Sequence, residues 1–574
     1  MRFEVSSKEK SREKLRSVLE KLGPTWLSTP WRRFAQAFCL ILFLVLFFYF
    51  CWPYRFDYNS ENAVQPAQLE LFLVLDPLVG ISTALAAKAL VWSLATAAIV
   101  LLICTVFPRW FCGYVCPMGT LIDLFDWSIG RRIKRFRVIK RGWWVNLRFY
   151  LLTGILIVAL FGVLLSGFVA AIPVLTRGML YVFAPLQVGL LRGWEYVPKF
   201  NTGQYVSILL FLVILGLGLL RRRFWCAYLC PSGALLSLAS VFSLTGRKVE
   251  DTCAECGRCL SDCPFDAITT DFSTRSLDCT LCRSCKDICP KQSIKFVSRW
   301  NDANKRSSGE GVVMQPFYTR RNFLFGMLST AGTGVGVATG FTLEREGYAK
   351  SYPVRPPGSV PEVIFRSQCV RCGQCLKVCP GNVLQPAGLK FGIDGIWTPT
   401  VTADFSGCKP FCNNCGQVCP TGAIRKLPLD EKRAARLGLA EIDVKTCLPH
   451  CQSDKCGLCF EECAAAGYNA IEYIHIGVEY DNWGMPIADS GFLAPVVLKD
   501  KCIGCGLCQA SCYAVNVRDK MLLDESAVKV LAGPGKEDRI VAGSYTVMQN
   551  ERTNRIKQNQ IKGPENEYLP DFLR

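Results

Sequence analysis

Four runs of the chain, at about 34–52, 87–108, 144–166 and 204–220, are apolar over roughly the 20 residues a helix needs to cross a bilayer. Basic clusters punctuate them. Trp31-Arg32-Arg33 precedes the first run, the stretch 131–141 that opens Arg131-Arg132-Ile133-Lys134-Arg135 separates the second from the third, and Arg221–Arg223 follows the fourth. A chain that weaves across a membrane from helix to helix brings all three clusters to one side, as the positive-inside rule asks. The pattern predicts a cytoplasmic segment 1–30, a four-helix membrane unit over 31–245, and opposite loops at about 53–86 and 167–203, where Lys and Arg are few. After a polar, Gly-containing linker (299–318) comes a mildly apolar, Gly-rich stretch, 319–342. It reads as a fifth membrane helix, with a buried Gly-rich core helix as the alternative. A module at 360–545 and a polar, basic tail at 546–574, either disordered or a docking strap, complete the chain.

Composition narrows the chemistry. Among 574 residues there are 32 Cys and only 2 His, a donor set of thiolates that favours iron–sulfur clusters or Cys-only zinc over copper–imidazole or haem sites. His450 and His475 lie far from the apolar runs, so a membrane haem with two axial histidines is excluded within this chain. No C-x-x-C-H occurs, which excludes covalent c-type haem. The formal charge of +19 sits largely beside the apolar runs, so it reads as membrane topology and not as a nucleic-acid surface.

Where the second and fourth runs reach the basic side, two phrases repeat: Trp110-Phe111-Cys112-Gly113-Tyr114-Val115-Cys116-Pro117 and Phe224-Trp225-Cys226-Ala227-Tyr228-Leu229-Cys230-Pro231. Isolated cysteines such as Cys39, Cys51 and Cys104 read as small packing residues. A duplicated C-x-x-x-C-P at matching depth reads as functional. Its four thiols suit a soft metal, a redox disulfide or the border of a quinone pocket, and the sequence does not choose among them.

Residues 250–298 carry Cys253-x-x-Cys256-x-x-Cys259-x-x-x-Cys263-Pro264 and Cys279-x-x-Cys282-x-x-Cys285-x-x-x-Cys289-Pro290. This is the run of a two-cluster ferredoxin, in which the fourth Cys of each group ligates the other cluster. One cluster is expected on Cys253, Cys256, Cys259 and Cys289, the other on Cys279, Cys282, Cys285 and Cys263. A zinc ribbon would pair two C-x-x-C knuckles and has no use for the remaining offsets.

Four further groups follow: Cys369, Cys372, Cys375, Cys379; Cys408, Cys412, Cys415, Cys419; Cys447, Cys456, Cys459, Cys463; and Cys502, Cys505, Cys508, Cys512. All six groups end C-x-x-C-x-x-x-C, a cadence that a disulfide framework does not need. About six [4Fe–4S] clusters are therefore expected, at four thiolates each. Cys447 is preferred to Cys451 because the segment before it, Ile442–Thr446, mirrors 497–501 before Cys502; both read as short strands delivering the first cysteine. The regular outer groups are expected to pair with each other, first with fourth, and the irregular inner ones second with third. Thr319-Arg320-Arg321-Asn322-Phe323-Leu324 ahead of a weakly hydrophobic helix is similar to a twin-arginine export signal, which suits a cluster-bearing module that must cross a membrane already folded.

The chain resembles a known pair of proteins. Residues 30–298 look like NapH, with four helices, paired C-x-x-x-C-P phrases and a two-cluster ferredoxin. Residues 319–525 look like NapG, with the twin arginine and the long-spaced third group; the MauN/MauM pair is similar. The fusion of the two, and a second group spaced C-x3-C-x2-C-x3-C where C-x2-C-x4-C-x3-C is expected, depart from that pattern. The resemblance implies a multidomain protein of the bacterial inner membrane: a four-helix transmembrane unit, a cytoplasmic α+β ferredoxin-like two-cluster domain, a fifth helix and a periplasmic α+β ferredoxin-like four-cluster domain. It also implies oxidation of quinol from the quinone pool and relay to a periplasmic cytochrome or reductase, with a haem-bearing subunit as a further candidate partner. Asp123 and Asp126 beside the thiol phrases, and Asp76 on the opposite face, are candidates for handling protons, since an ionisable group at membrane depth needs a reason; helix-end solvation is the plain alternative. The rival function is a redox accessory or maturation factor in which Cys112, Cys116, Cys226 and Cys230 hold Cu(I).

Overall fold

The computed structural model describes residues 30–48, 71–89, 92–130, 132, 143–194, 197–298, 320–347, 352–479, 483, 487 and 490–561. Residues 1–29, Cys51, most of the basic run at 131–141, the linker 299–318 and the end of the tail lie outside the described residues. The membrane unit is built from α1 (Pro30–Phe48), α2 (Pro77–Ala87), α3 (Ser93–Val106), α4 (Pro117–Phe125), α5 (Leu147–Leu160), α6 (Ala171–Arg192), α7 (Thr202–Gly216) and α8 (Pro231–Ala239). The long helix α9 (Arg320–Gly347) packs along α5. Local chemistry starts several of these helices. Asp76 caps α2 and Pro77 takes its first turn. Asn201 and Gln204 form a reciprocal capping box on α7. Pro117 and Pro231 open α4 and α8 immediately after Cys116 and Cys230.

Among the described residues, four helices are long and apolar enough to cross a membrane: Trp31–Phe48, Ala171–Leu190, Thr202–Leu219 and Phe323–Phe341. The expected spans at 87–108 and 144–166 need correcting. The first is the 14-residue helix α3, packed so closely on α2 that a Cβ on Gly80 would lie 2.6 Å from the Ser93 carbonyl oxygen; the second ends at Leu160. The expected loop at 167–203 is largely α6. Arg177 and Pro185 lower the hydropathy of that helix, yet Arg177 is fully buried against protein groups, so its charge never meets lipid. On α9, Leu324, Phe325 and Leu328 are exposed, which fits a lipid-facing helix and not a buried core helix. Its glycines serve the other face: a Cβ on Gly326 would strike the Tyr150 ring at 2.8 Å.

Four two-stranded antiparallel ribbons complete the fold. β1 (Thr245–Val249) pairs with β2 (Ile294–Ser298) at the base of the 250–298 module. In the C-terminal module, β3 (Leu384–Pro386) pairs with β4 (Pro399–Val401), β5 (Leu439–Ile442) with β8 (Val528–Leu531), and β6 (Ile471–Ile476) with β7 (Phe492–Val497). β5 and β7 end at Ile442 and Val497, each five residues before Cys447 and Cys502, so a strand does precede each first cysteine, while the rest of each lead-in, expected as strand, is a turn. The module begins earlier than expected, with Val354 and Arg355 already buried, and includes the short helix α10 (Glu362–Gln368). The start of the tail is the helix α11 (Tyr545–Ile561), tied down where buried Tyr545 meets Arg425 and Arg552 meets Asp538.

The C-terminal module is seated in the membrane unit. One apolar core runs without a break from Phe43, Leu78 and Val174 to Val370, Trp397 and Val418. Arg177 donates to the carbonyl oxygens of Gly167 (2.9 Å) and Arg371 (3.0 Å) and lies 3.8 Å from the Trp397 ring centre. Arg371 in turn donates to Leu164 O at 2.7 Å and to the Asp394 carboxylate at 2.9 Å. Trp397 Nε1 donates to Gly203 O, and Asn201 Nδ2 to Pro386 O.

Candidate functional site

In the 250–298 module, Cys253, Cys256, Cys259 and Cys289 line one cavity, as the two-cluster pattern requires. Cys263 lies within electrostatic reach of Cys279, Cys282 and Cys285. In the C-terminal module, Cys369, Cys372, Cys375 and Cys419 line a second cavity, while Cys379 stands with Cys408, Cys412 and Cys415. Cys463 joins Cys502, Cys505 and Cys508 around a third cavity, and Cys512 joins Cys447, Cys456 and Cys459. The first group therefore exchanges its last cysteine with the second, and the third with the fourth, which corrects the expected pairing. The reason is local: the chain folds each consecutive pair of groups into one ferredoxin-like unit, so neighbours in sequence swap. Cys447 is buried in its foursome, whereas Cys451 is exposed and turns its thiol to the Lys445 carbonyl oxygen at 2.9 Å.

These residues fit [4Fe–4S] clusters. Among the described residues no three Cys, His, Asp or Glu side chains are gathered closely enough for a single metal ion. Three of the foursomes instead line a cavity, as a four-iron core demands. Burial pushes the thiols of Cys379 and Cys505 up to about 12, so a proton must leave each when iron binds.

The thiols of the two C-x-x-x-C-P phrases also converge. Each of the six pairs among Cys112, Cys116, Cys226 and Cys230 is within electrostatic reach. Each phrase forms one π-helical turn, Phe111–Val115 or Trp225–Leu229, closed by a cysteine that the following proline holds extended. An arginine in the left-handed region precedes each turn, Arg109 at φ 48° and Arg223 at φ 50°. The two reach across reciprocally: Arg109 donates to Cys226 O at 3.2 Å and Arg223 to Cys112 O at 3.0 Å. Both guanidinium groups lie 5.0 Å from the ring centre of Phe265, which follows Cys263-Pro264.

The three carboxylates hold different positions. Asp123 takes two bonds from Arg223, at 2.8 and 2.7 Å, with Arg32 and Arg33 each at 3.6 Å. Burial alone would raise its pKa, but Arg223, Arg32 and Arg33 hold it well below the usual carboxylate range, which makes it an ion-pair anchor. Asp126 pairs with Arg222 at 3.4 Å. Asp76 does not lie in a loop on the opposite face: fully buried, it accepts from Ser232 Oγ at 3.0 Å and stands beside Cys116.

Sequence reading missed a cleft between α6 and the C-terminal module. Tyr181, Gln187, Gln204, Lys377 and Cys379 line it, with about 620 Å³ between atoms including its open mouth. Lys377 donates to Gln187 Oε1 at 2.7 Å and lies 4.8 Å from the Phe47 ring centre. Tyr181 is 3% exposed, and its hydroxyl has no hydrogen-bond partner among the described residues. Nothing in the sequence marks Tyr181, because the stretch that holds it reads as a loop.

Comparisons with known proteins agree with the donor set. A 4Fe-4S binding domain family matches residues 89–137 and 204–249, and a 4Fe-4S dicluster domain family matches 368–423. The ferredoxin-type protein NapG of Escherichia coli is 34% identical over 222 residues, covering 38% of this chain and 87% of the relative. The methylamine utilization ferredoxin-type protein MauM of Methylobacillus flagellatus is 30% identical over 40% of this chain and 90% of its own length. The ferredoxin-type protein NapH of Haemophilus influenzae is 28% identical over 48% of this chain and 91% of its own. No solved structure matches significantly.

Proposed function

Because the chain belongs to the family of iron–sulfur, ferredoxin-type electron-transfer proteins that includes NapG and MauM, we propose that it oxidises a membrane quinol and passes the electrons through its C-terminal clusters to an acceptor protein. The observation that carries the reading is the cleft. A quinol head placed there lies beside Tyr181, whose buried hydroxyl has no partner among the described residues, and against Cys379, a ligand of one expected cluster, and Leu376, next to a ligand of another. A buried hydroxyl without a partner is costly, and a quinol hydroxyl would satisfy it. Clusters supply one-electron acceptors when bound, so two adjacent ones suit a two-electron donor. Lys377 orients the head through its ammonium group, and the two protons leave through the open mouth to water.

On this reading the chain joins a NapH-like and a NapG-like part. The 250–298 module lies in the cytoplasm of a bacterial inner membrane and the C-terminal module in the periplasm, carried there behind Arg320 and Arg321. The acceptor is a periplasmic cytochrome or reductase, and no haem subunit is needed between quinol and clusters.

The test is cluster reduction by a quinol analogue in liposomes. Tyr181→Phe should slow it by roughly tenfold, the worth of about one hydrogen bond, and Ala184→Trp, which fills the cleft, should abolish it, both at unchanged iron content. Wild-type rates in both variants would refute the proposed site.

A further inference from the structure

We propose that Cys112, Cys116, Cys226 and Cys230 jointly hold a seventh [4Fe–4S] cluster, shared between the two C-x-x-x-C-P phrases, which links the 250–298 module electrically to the C-terminal module. The proposal does not depend on the quinol reading. Neither of the two stretches matched by the 4Fe-4S binding domain family contains four phrase cysteines: each contributes one pair, Cys112 with Cys116 or Cys226 with Cys230. Folding is what makes a foursome of them, through a pseudo-two-fold arrangement in which each arginine braces the other phrase's first cysteine.

The surroundings suit a cluster in three ways. First, all four thiols approach one another without any three of them being gathered closely enough for one ion, as in the ferredoxin-type foursomes, whereas Cu(I) would need two or three thiolates close together. Second, apolar side chains pack around the site and a backbone donor faces sulfur: Gly233 N lies 3.4 Å from Cys230 Sγ, and Met118, Trp225 and Leu236 are buried nearby. Third, a positive charge lacks its counterion. Arg109 is fully buried, its Nε has no hydrogen-bond partner, and no carboxylate lies within ion-pair distance of it among the described residues. Its other nitrogens reach only the carbonyl oxygens of Cys226 and Asp278. An isolated buried guanidinium is expensive. A cluster with four thiolate ligands carries a net charge of about −2 in its oxidised state and would supply the missing anion.

The site also lies between two others. On one side, the loop bearing Cys279 and Cys282 covers both phrases. Tyr114 Oη donates to Leu281 O at 3.0 Å, a Cβ on Gly113 would contact Thr280 O at 3.4 Å, and Arg148, paired with Asp278, donates to Ala227 O at 2.9 Å. On the other side, Asp76 beside Cys116 begins α2. Six residues further, a rise of about 9 Å, Ser82 Oγ donates to Ser166 Oγ at 2.7 Å. The next residue, Gly167, is pressed against Val370, the neighbour of Cys369. An electron taken from a reduced cluster of the 250–298 module would reduce the central one by a single charge and then pass to the Cys369 cluster, with no bond made and no proton moved.

Iron and acid-labile sulfide should be counted on the full chain purified anaerobically. Seven clusters give roughly 28 iron per chain and six give roughly 24. The double variant Cys112→Ala/Cys226→Ala should lose about four iron and four sulfide, while Cys39→Ala loses none. In liposomes, reductant confined to the side of the 250–298 module should reduce the C-terminal clusters in the wild type and fail to do so in the double variant. If the double variant does not fold, the wild-type count and the spin count of its reduced form decide alone. A wild-type value near 24 iron overturns the proposal, whether or not stoichiometric copper accompanies it.

Discussion

Replacing Glu362 with Gln tests how the first C-terminal cysteine group is held. Glu362 opens α10, which leads directly into Cys369, and it binds three arginines: Arg355 at 3.0 and 2.6 Å, Arg366 at 2.7 Å and Arg539 at 2.7 Å. Burial alone would raise its pKa, but Arg355, Arg539 and Arg366 lower it from 4.5 to about 2. At 1.36 kcal/mol per pKa unit that shift corresponds to about 3 kcal/mol of stability, within the range for breaking a buried pair. Glutamine keeps the size but loses the charge and one acceptor oxygen. A loss of about 3 kcal/mol lowers the Tm of a module this size by roughly 6–12 °C, read as thermal bleaching of cluster absorbance. The pH dependence has a definite sign. A depressed carboxylate pKa gives stability that is complete above 4.5 and lost only as pH falls through about 2. The gap between variant and wild type should therefore stay constant from about pH 6 to pH 8. A loss below about 1 kcal/mol, or a gap that changes across that interval, would refute the claim that the net charge of Glu362 holds the arginines together.

Other expected outcomes follow from single contacts. Cys447→Ala should cost about four iron per chain and Cys451→Ala none, because only the former thiol faces its foursome; equal losses would mean the two thiols exchange roles. Gly167→Ala puts a Cβ 2.2 Å from Val370 O and 2.7 Å from Val370 C, both backbone atoms with no rotamer to yield. It should weaken the seating of the C-terminal module by about 1–3 kcal/mol, seen as faster amide exchange over 369–375, and unchanged exchange would mean the approach is looser than drawn.

The sequence by itself determined the chemistry, and spacing is the reason. A C-x-x-C-x-x-C loop places three thiolates around one cluster through backbone geometry alone, so the grouping of the cysteines in 250–298 could be read without a fold. The strands ahead of Cys447 and Cys502 were legible for the same local reason, and so was the long apolar helix after Arg320 and Arg321. What needed the tertiary structure was everything that depends on residues far apart in the chain. Cys419 completes the site begun by Cys369 because the first two groups fold as one unit, which no comparison of their regularity reveals. Helix α6 hid behind Arg177, whose charge lowers local hydropathy but is turned to carbonyl oxygens of Gly167 and Arg371, the latter 194 residues away. Asp76 reads as a loop residue until α2 and α8 bring Ser232 to it. The paired C-x-x-x-C-P phrases were visible as a repeat, but their meeting was not. Hydropathy reports how each segment partitions into a bilayer, whereas convergence of four thiols is decided by how the segments pack once there.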